Sequence, residues 1–222
     1  MSSMTSRIWR EWRRVVSWIA ACLAALVAWP AAGAAYDDFI NAVKIGNGAE
    51  VAAFLTRGMD PNTLDPSGQP VLHLAAREGS LAVIRALAAA DIDLNRRNAA
   101  GESAMMLAAL HGHLELVKFL IVKEAHVNHP GWTPLIYAAT SGHDKIIKIL
   151  LENHAYIDAT SPNGVTSLMM AVRGGHHTTV KLLIEEDADI RLLNDVGESA
   201  LVWAERRQDA EMVKLLRVKL MP

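Results

Sequence analysis

The nine histidines of this chain are the residues best suited to chemistry, because imidazole binds metal ions and transfers protons near neutral pH. They are densest at 111–113 and 176–177. However, His113, His143 and His176 recur at one position of a repeated unit. Equivalent positions on packed helices lie about 8–10 Å apart, whereas zinc needs ligand atoms about 2 Å from one ion. The sequence therefore predicts no bound metal and no other cofactor.

Catalytic residues are the second kind of chemistry to consider. The string His111-Gly112-His113-Leu114-Glu115 sets imidazoles near a carboxylate, but similar strings recur at the same turn of the repeated unit. The chain has no G-x-S-x-G, H-E-x-x-H or phosphate-loop glycine pattern. We therefore predict a protein that is not an enzyme, with no catalytic residue and no small-molecule substrate.

Composition narrows the class of partner. The formal net charge is −2, so the chain lacks the basic surplus typical of nucleic-acid binding. Half of the 222 residues are hydrophobic but only 5% are aromatic, which favours small packed helices. The single cysteine, Cys22, excludes a disulfide within the chain.

The first 35 residues have the organisation of a secretory signal peptide. Four arginines precede an apolar run from Val15 to Trp29, and Ala32-Gly33-Ala34 provides a small-x-small cleavage site. We predict cleavage after Ala34 or Ala35. Loss of the four arginines and Glu11 would leave 18 basic and 23 acidic residues and a net charge of −5. The predicted location is the periplasm of a bacterium.

Two alternatives keep the chain attached to a membrane. Residues 19–22 resemble a lipoprotein cleavage site, at which Cys22 would carry lipid, although the chain stays apolar beyond it. The apolar run could instead remain as an uncleaved anchor, although it barely reaches spanning length. In both cases the membrane contact involves only the N-terminal segment.

The remainder of the chain is built from repeats. Opening glycines at 68, 101, 131, 164 and 197 follow one another at intervals of 33, 30, 33 and 33 residues. In the unit that opens at Gly131, Thr133 is a helix cap, Pro134 suits the first helical position and Gly142 ends the helix. We predict one domain, 36–222, with units 36–66, 67–99, 100–130, 131–162, 163–195 and 196–222.

With this period and these residues, the chain resembles the ankyrin-repeat family over nearly all of 36–222. The resemblance implies an all-α repeat solenoid, an L-shaped stack of about six helix–turn–helix units with short β-turn fingers. It also implies function by protein–protein binding, and histidines beside the turn glycines that hydrogen-bond the local backbone. Only one unit keeps Thr-Pro-Leu intact, and one finger is short.

The resemblance implies partner contacts through the finger tips and the concave face of the first helices. Two sets of positions do not carry the fold, so we expect their side chains to be free for recognition: those before each turn glycine and those after each opening glycine. The candidates are Arg77, Leu110, His111, Thr140, Arg173 and Arg206 in the first set, and Gln69, Glu102 and Trp132 in the second.

Trp132 follows the shortened finger and occupies a position that is mainly Gln or Glu in other units, which indicates an outward side chain. It is either an interface anchor or a cover for the apolar surface that the missing finger exposes. The predicted function is binding of another protein in the cell envelope, such as a stress-defence enzyme or a neutralised toxin. The alternative is a membrane-tethered scaffold.

Overall fold

A computed structural model describes residues 33–220. Residues 1–32, which make up most of the predicted signal segment, lie outside the described residues. The predicted cleavage site, after Ala34 or Ala35, falls within the first described helix. No helix between residues 33 and 220 is long and apolar enough to cross a membrane. The helices are α1 (33–44), α2 (Gly48–Thr56), α3 (Val71–Glu78), α4 (Leu81–Ala89), α5 (Ala104–Leu110), α6 (Leu114–Val122), α7 (Pro134–Ser141), α8 (Asp144–Glu152), α9 (Ser167–Gly174), α10 (His177–Glu185), α11 (Ala200–Arg206) and α12 (Ala210–Leu220).

These helices form consecutive pairs, and each pair packs on its neighbours. The first helices of successive units contact one another from α3 through α5, α7 and α9 to α11. The second helices do the same from α2 to α12, and a continuous apolar core lies between the two rows. This arrangement confirms the all-α repeat solenoid that the sequence predicts.

The start of each first helix follows from its capping residue. The Thr133 hydroxyl accepts a hydrogen bond from the Ile136 N–H at 3.2 Å, with Pro134 at the first helical position. Ser103, Thr166 and Ser199 cap α5, α9 and α11 in the same way. Two pairs of methionines, one in α5 and one in α9, are buried in the core: Met105, Met106, Met169 and Met170.

Adjacent units are joined at each turn glycine. Gly142 has φ of 72°, a conformation that glycine adopts without strain, and the His176 ring of the next unit lies against it. His176 Nε2 lies 3.0 Å from the Thr140 carbonyl oxygen, two residues before that glycine. Because a carbonyl only accepts, Nε2 carries the proton.

The same contact recurs along the stack. The family resemblance predicts a bond to the local backbone, but each ring instead reaches the carbonyl of the preceding unit, because the glycine leaves space for it. We call this set the joint hydrogen bonds. They connect His113 to Arg77 O at 2.9 Å, His143 to Leu110 O at 3.0 Å and His176 to Thr140 O at 3.0 Å, with Ser80 to Gly46 O at 3.4 Å and Arg207 to Arg173 O at 2.7 Å at the two ends.

The sixth unit is adapted to meet solvent. Gln208 replaces the turn glycine and still adopts φ of 55°. Arg217 is exposed on α12, and its guanidinium donates to the Glu205 carboxylate at 2.8 Å. Polar side chains of this kind let a repeat array end in water.

We expect Gly142→Ala to destabilise the protein by more than about 2 kcal/mol, because it combines left-handed strain with a collision. A Cβ at this position would lie 2.7 Å from His176 Nδ1. Gly101→Ala is the matched control, since Gly101 has φ of 78° and a Cβ added there would meet no atom within 4 Å. Urea unfolding measures the free energy of unfolding of both variants. Equal losses of stability would show that the His176 ring does not pack against Gly142 as described.

Candidate partner-binding surface

The candidates before the turn glycines form one row at the ends of the first helices. We call the surface made by α3, α5, α7, α9 and α11 the first-helix face. Arg77, His111, Arg173 and Arg206 are exposed on it, whereas Leu110 and Thr140 are half-buried.

Not every side chain of this row is free. The Thr140 hydroxyl donates to the Ile136 carbonyl of its own helix at 2.7 Å, and Arg77 pairs with Glu78 at 3.3 Å. His111 stacks on His113 with ring centroids 6.1 Å apart, and burial together with that neighbouring imidazole lowers the pKa of His111. Among the exposed arginines of this row, Arg173 is the one with no ion pair to a residue in 33–217.

The side chains after the opening glycines are less exposed than the frequent Gln and Glu at this position led us to expect. Val165 is buried at this position, and Gln69, Glu102 and Trp132 are all half-buried. Contacts with the next unit account for part of this burial. The Gln69 Oε1 atom, for example, accepts from Asn98 at 3.3 Å.

Glu102 is the centre of a polar network that reaches into unit four. Its carboxylate accepts from Asn98 Nδ2 at 2.8 Å and from the Tyr137 hydroxyl at 3.0 Å. Burial raises the pKa of the Tyr137 phenol well above its usual range, and the Glu102 charge adds to that effect. Glu102 thus stabilises the surface and is not free for recognition, which corrects the sequence-based expectation.

Trp132 lies at the edge of this network. Its ring meets the Tyr137 ring edge-on, with centroids 5.8 Å apart. It also packs against the apolar core. The remaining part of the side chain is accessible, and both roles, cover for the shortened finger and interface anchor, stay predictions.

The shortened finger before Trp132 differs from its neighbours. Backbone bridges close the fingers at Leu64–Pro70, Arg97–Ser103 and Thr160–Thr166, whereas residues 128–133 form none. His129 is half-buried there, and burial lowers its pKa, with the Arg97 charge adding.

An open pocket of about 460 Å³ lies on the first-helix face of units four to six. Trp132 and Trp203 line it together with the buried Met170. The lining also includes three arginines, Arg173, Arg206 and Arg207, and one acidic residue, Glu198. Three candidates from the sequence, Trp132, Arg173 and Arg206, are therefore brought together.

The Glu198 carboxylate already has hydrogen-bond and ion-pair partners within its own unit. Its carboxylate accepts from Trp203 Nε1 at 2.6 Å and forms an ion pair with Arg206. Three arginines against one glutamate leave the pocket with a net of two positive charges, although the whole chain carries a net charge of −2.

The sequence-based candidates do not include Trp203 or Met170. Both stand immediately before the constant alanine of their first helix, at the position of Tyr137 in unit four. A signal is present in the sequence, because this position repeats as Leu74, Leu107, Tyr137, Met170 and Trp203 and is always large.

The joint between units five and six also contains a histidine–carboxylate pair. His177 Nε2 lies 3.1 Å from Asp209 Oδ1, which connects α10 to the turn before α12. The hydrogen bond to Asp209 is the largest effect that raises the pKa of His177, and the Asp209 and Glu211 charges add to it. The pKa of Asp209 is lowered, chiefly by the Met212 N–H and then by His177.

A histidine with a raised pKa stabilises the folded state below its unfolded pKa, and this contribution is lost as pH rises through the folded value. We therefore expect His177→Gln to lower the melting temperature more at about pH 5.5 than at about pH 8.5. Thermal melts of both proteins across this range measure the difference. A constant difference would show that the pair contributes through packing alone. His154→Gln, at an exposed turn residue, is the control.

The described histidines and carboxylates are spread along the stack. Between residues 33 and 220, no group of three His, Cys, Asp or Glu side chains is placed to hold a metal ion. His113, His143 and His176 each direct Nε2 to a backbone carbonyl.

Comparison with known sequences identifies the repeat. A family model described as ankyrin repeats (3 copies) matches residues 39–130, 90–161 and 153–220. No curated protein sequence matches the chain at a significant level. Ankyrin repeats generally serve as protein–protein interaction modules. The matched segments together extend through all six helix pairs, and the chain belongs to the ankyrin-repeat family.

Proposed function

We propose that this chain is exported to the bacterial periplasm and binds another protein there, without catalysing a reaction. The binding surface is the first-helix face of units four to six. The observation that carries this proposal is the pocket in which Trp132 and Trp203 stand beside arginines. Tryptophan and arginine are among the side chains most often found as energetic anchors of protein interfaces.

A comparison along the first-helix face supports placing the binding surface in units four to six. In units three and four the corresponding surface is filled by the network around Glu102 and Tyr137. At the pocket, the Arg173 guanidinium forms no ion pair with any residue in 33–217. A guanidinium without a carboxylate partner is ready to pair with a group on another molecule.

Export is supported by the order of residues in the N-terminal segment. Basic residues, an apolar run and a small-x-small site occur in the order required of a signal peptide. A mature chain without Cys22 has no thiol to oxidise, which suits an oxidising compartment.

The partner can be trapped by a photo-reactive residue beside the pocket. We expect p-benzoylphenylalanine in place of Val196 to crosslink one discrete protein in intact cells of the native host. Val196 is 76% exposed and lies two residues from Asn194, which lines the pocket. Val122 on α6 is 77% exposed and is the matched control, because it belongs to the row of second helices. Equal crosslinking at both positions would contradict the proposed surface.

Trp132→Ala tests the anchor directly. We expect it to weaken binding to the crosslinked partner by about 2 kcal/mol or more, together with some loss of thermal stability, since the ring also packs on Tyr137. Tyr156→Ala removes an aromatic ring that is 69% exposed outside the pocket and should leave affinity unchanged. Titration calorimetry at a temperature where each variant is folded separates the two effects. A lower melting temperature with unchanged affinity would assign Trp132 a covering role only.

The mature N-terminus tests export. We expect protein isolated from the periplasmic fraction to begin at Ala35 or Tyr36, as measured by mass spectrometry of the intact chain. A membrane-bound form that begins at a lipid-modified Cys22 would instead establish the tethered scaffold. A membrane-bound chain that retains the apolar run would establish the uncleaved anchor.

A further inference from the structure

We infer that the pocket of units four to six recognises an acidic segment of the partner protein, in which carboxylates flank a large apolar side chain. This inference rests on the proposed function and specifies the chemistry of the partner. It follows from the charges at the rim, the apolar floor and the open form of the pocket.

The cations of the pocket differ in how far they are already engaged. Arg206 is neutralised by Glu198, which Trp203 Nε1 also holds in place. Arg207 is fixed by its hydrogen bond to the Arg173 carbonyl, and no carboxylate in 33–217 lies within ion-pair distance of it. Arg173 likewise has no carboxylate partner in that range. Arg173 and Arg207 thus have no direct ion-pair partner in 33–217, although the Asp209 carboxylate is close enough to Arg207 for that charge to help lower the pKa of Asp209.

The floor of the pocket is suited to an apolar group. Val165 and Met170 are only 4% and 6% exposed and line its base, and the two tryptophans form walls. A large aliphatic or aromatic side chain would displace water from these surfaces. The volume of about 460 Å³ accommodates such a side chain together with neighbouring groups.

Charge opposition distinguishes this pocket from the rest of the molecule. The whole chain is acidic, with a net charge of −2, whereas the pocket carries a net of two positive charges. An acidic segment is therefore attracted to the pocket more than to other parts of the surface. A guanidinium also pairs with a carboxylate through two parallel hydrogen bonds, which fixes orientation as well as adding affinity. Because the pocket is open to solvent, a segment of chain can enter without the structure opening.

The test uses a fluorescein-labelled peptide in which glutamates flank a central leucine, titrated with the full-length protein and measured by anisotropy. We expect it to bind about tenfold more tightly than the same peptide with glutamines, because charge-assisted hydrogen bonds are about twice as strong as neutral ones. Raising the salt concentration should reduce this preference, since the cations lie at the exposed rim.

Arg173→Gln should abolish most of the preference for glutamate, and Arg173→Glu should favour the peptide with lysines. The matched control is Lys148→Gln, which removes one positive charge from an exposed position on α8. Replacing the central leucine by serine should weaken binding of the glutamate peptide to the wild-type protein.

Equal binding of the glutamate and glutamine peptides would overturn the inference, as would an equal effect of Arg173→Gln and Lys148→Gln. Displacement of the peptide by micromolar free glutamate would also overturn it, because the pocket would then be a site for a small acid. If the Val196 crosslink to a partner persists in any of these cases, the proposed function stands and only the acidic chemistry fails. If no partner is crosslinked and no peptide binds, the proposed function fails as well.

Discussion

The hydrogen bond from each joint histidine to the preceding unit's carbonyl is the interaction on which the rest of the stack depends. It requires a glycine, because the ring occupies the space where a Cβ would lie, as His143 does beside Gly112. The accepting carbonyl belongs to the residue two positions before that glycine, so the end of one first helix is held against the start of the next second helix. This contact repeats at successive turns, so the side chains before the turn glycines are aligned from one unit to the next. That alignment makes the first helices form one continuous face.

The last joint shows how a structural contact also shapes the candidate site. In unit six Asp209 takes the histidine position, and Arg207, two residues earlier, bonds the Arg173 carbonyl through Nη1 instead and lies over Gly175. The replacement keeps the connection between units and introduces a permanent cation, where an imidazole would be largely neutral at pH 7. The charge of Arg207 therefore arises where the repeat ends and adds to that of Arg173 in unit five, and a pocket formed between units joined by histidine would lack the Arg207 charge.

Local features of the fold could be predicted from the sequence, whereas contacts between units could not. The caps at Ser103 and Thr133 and the turn at Gly142 depend only on residues close by in the chain, so the sequence pattern predicts them directly. The polarity of the position that Trp132 occupies is misleading, because Glu102 at that position hydrogen-bonds Tyr137, which is 35 residues away in the next unit. Trp203 is missed for a related reason, since only an alignment of the units at the position before the constant alanine places it on the proposed binding face.

The direction of the hydrogen bond at each joint has a further consequence for which residues can stand there. In His113, His143 and His176 the bond to the carbonyl is made by Nε2, and because a carbonyl only accepts, the side chain at the joint has to be a donor. The residues that make the same kind of contact at the two ends of the stack, Ser80 and Arg207, are both donors. A side chain that only accepts, such as a carboxylate, would set two acceptors against each other at a joint, and the units would lose that connection.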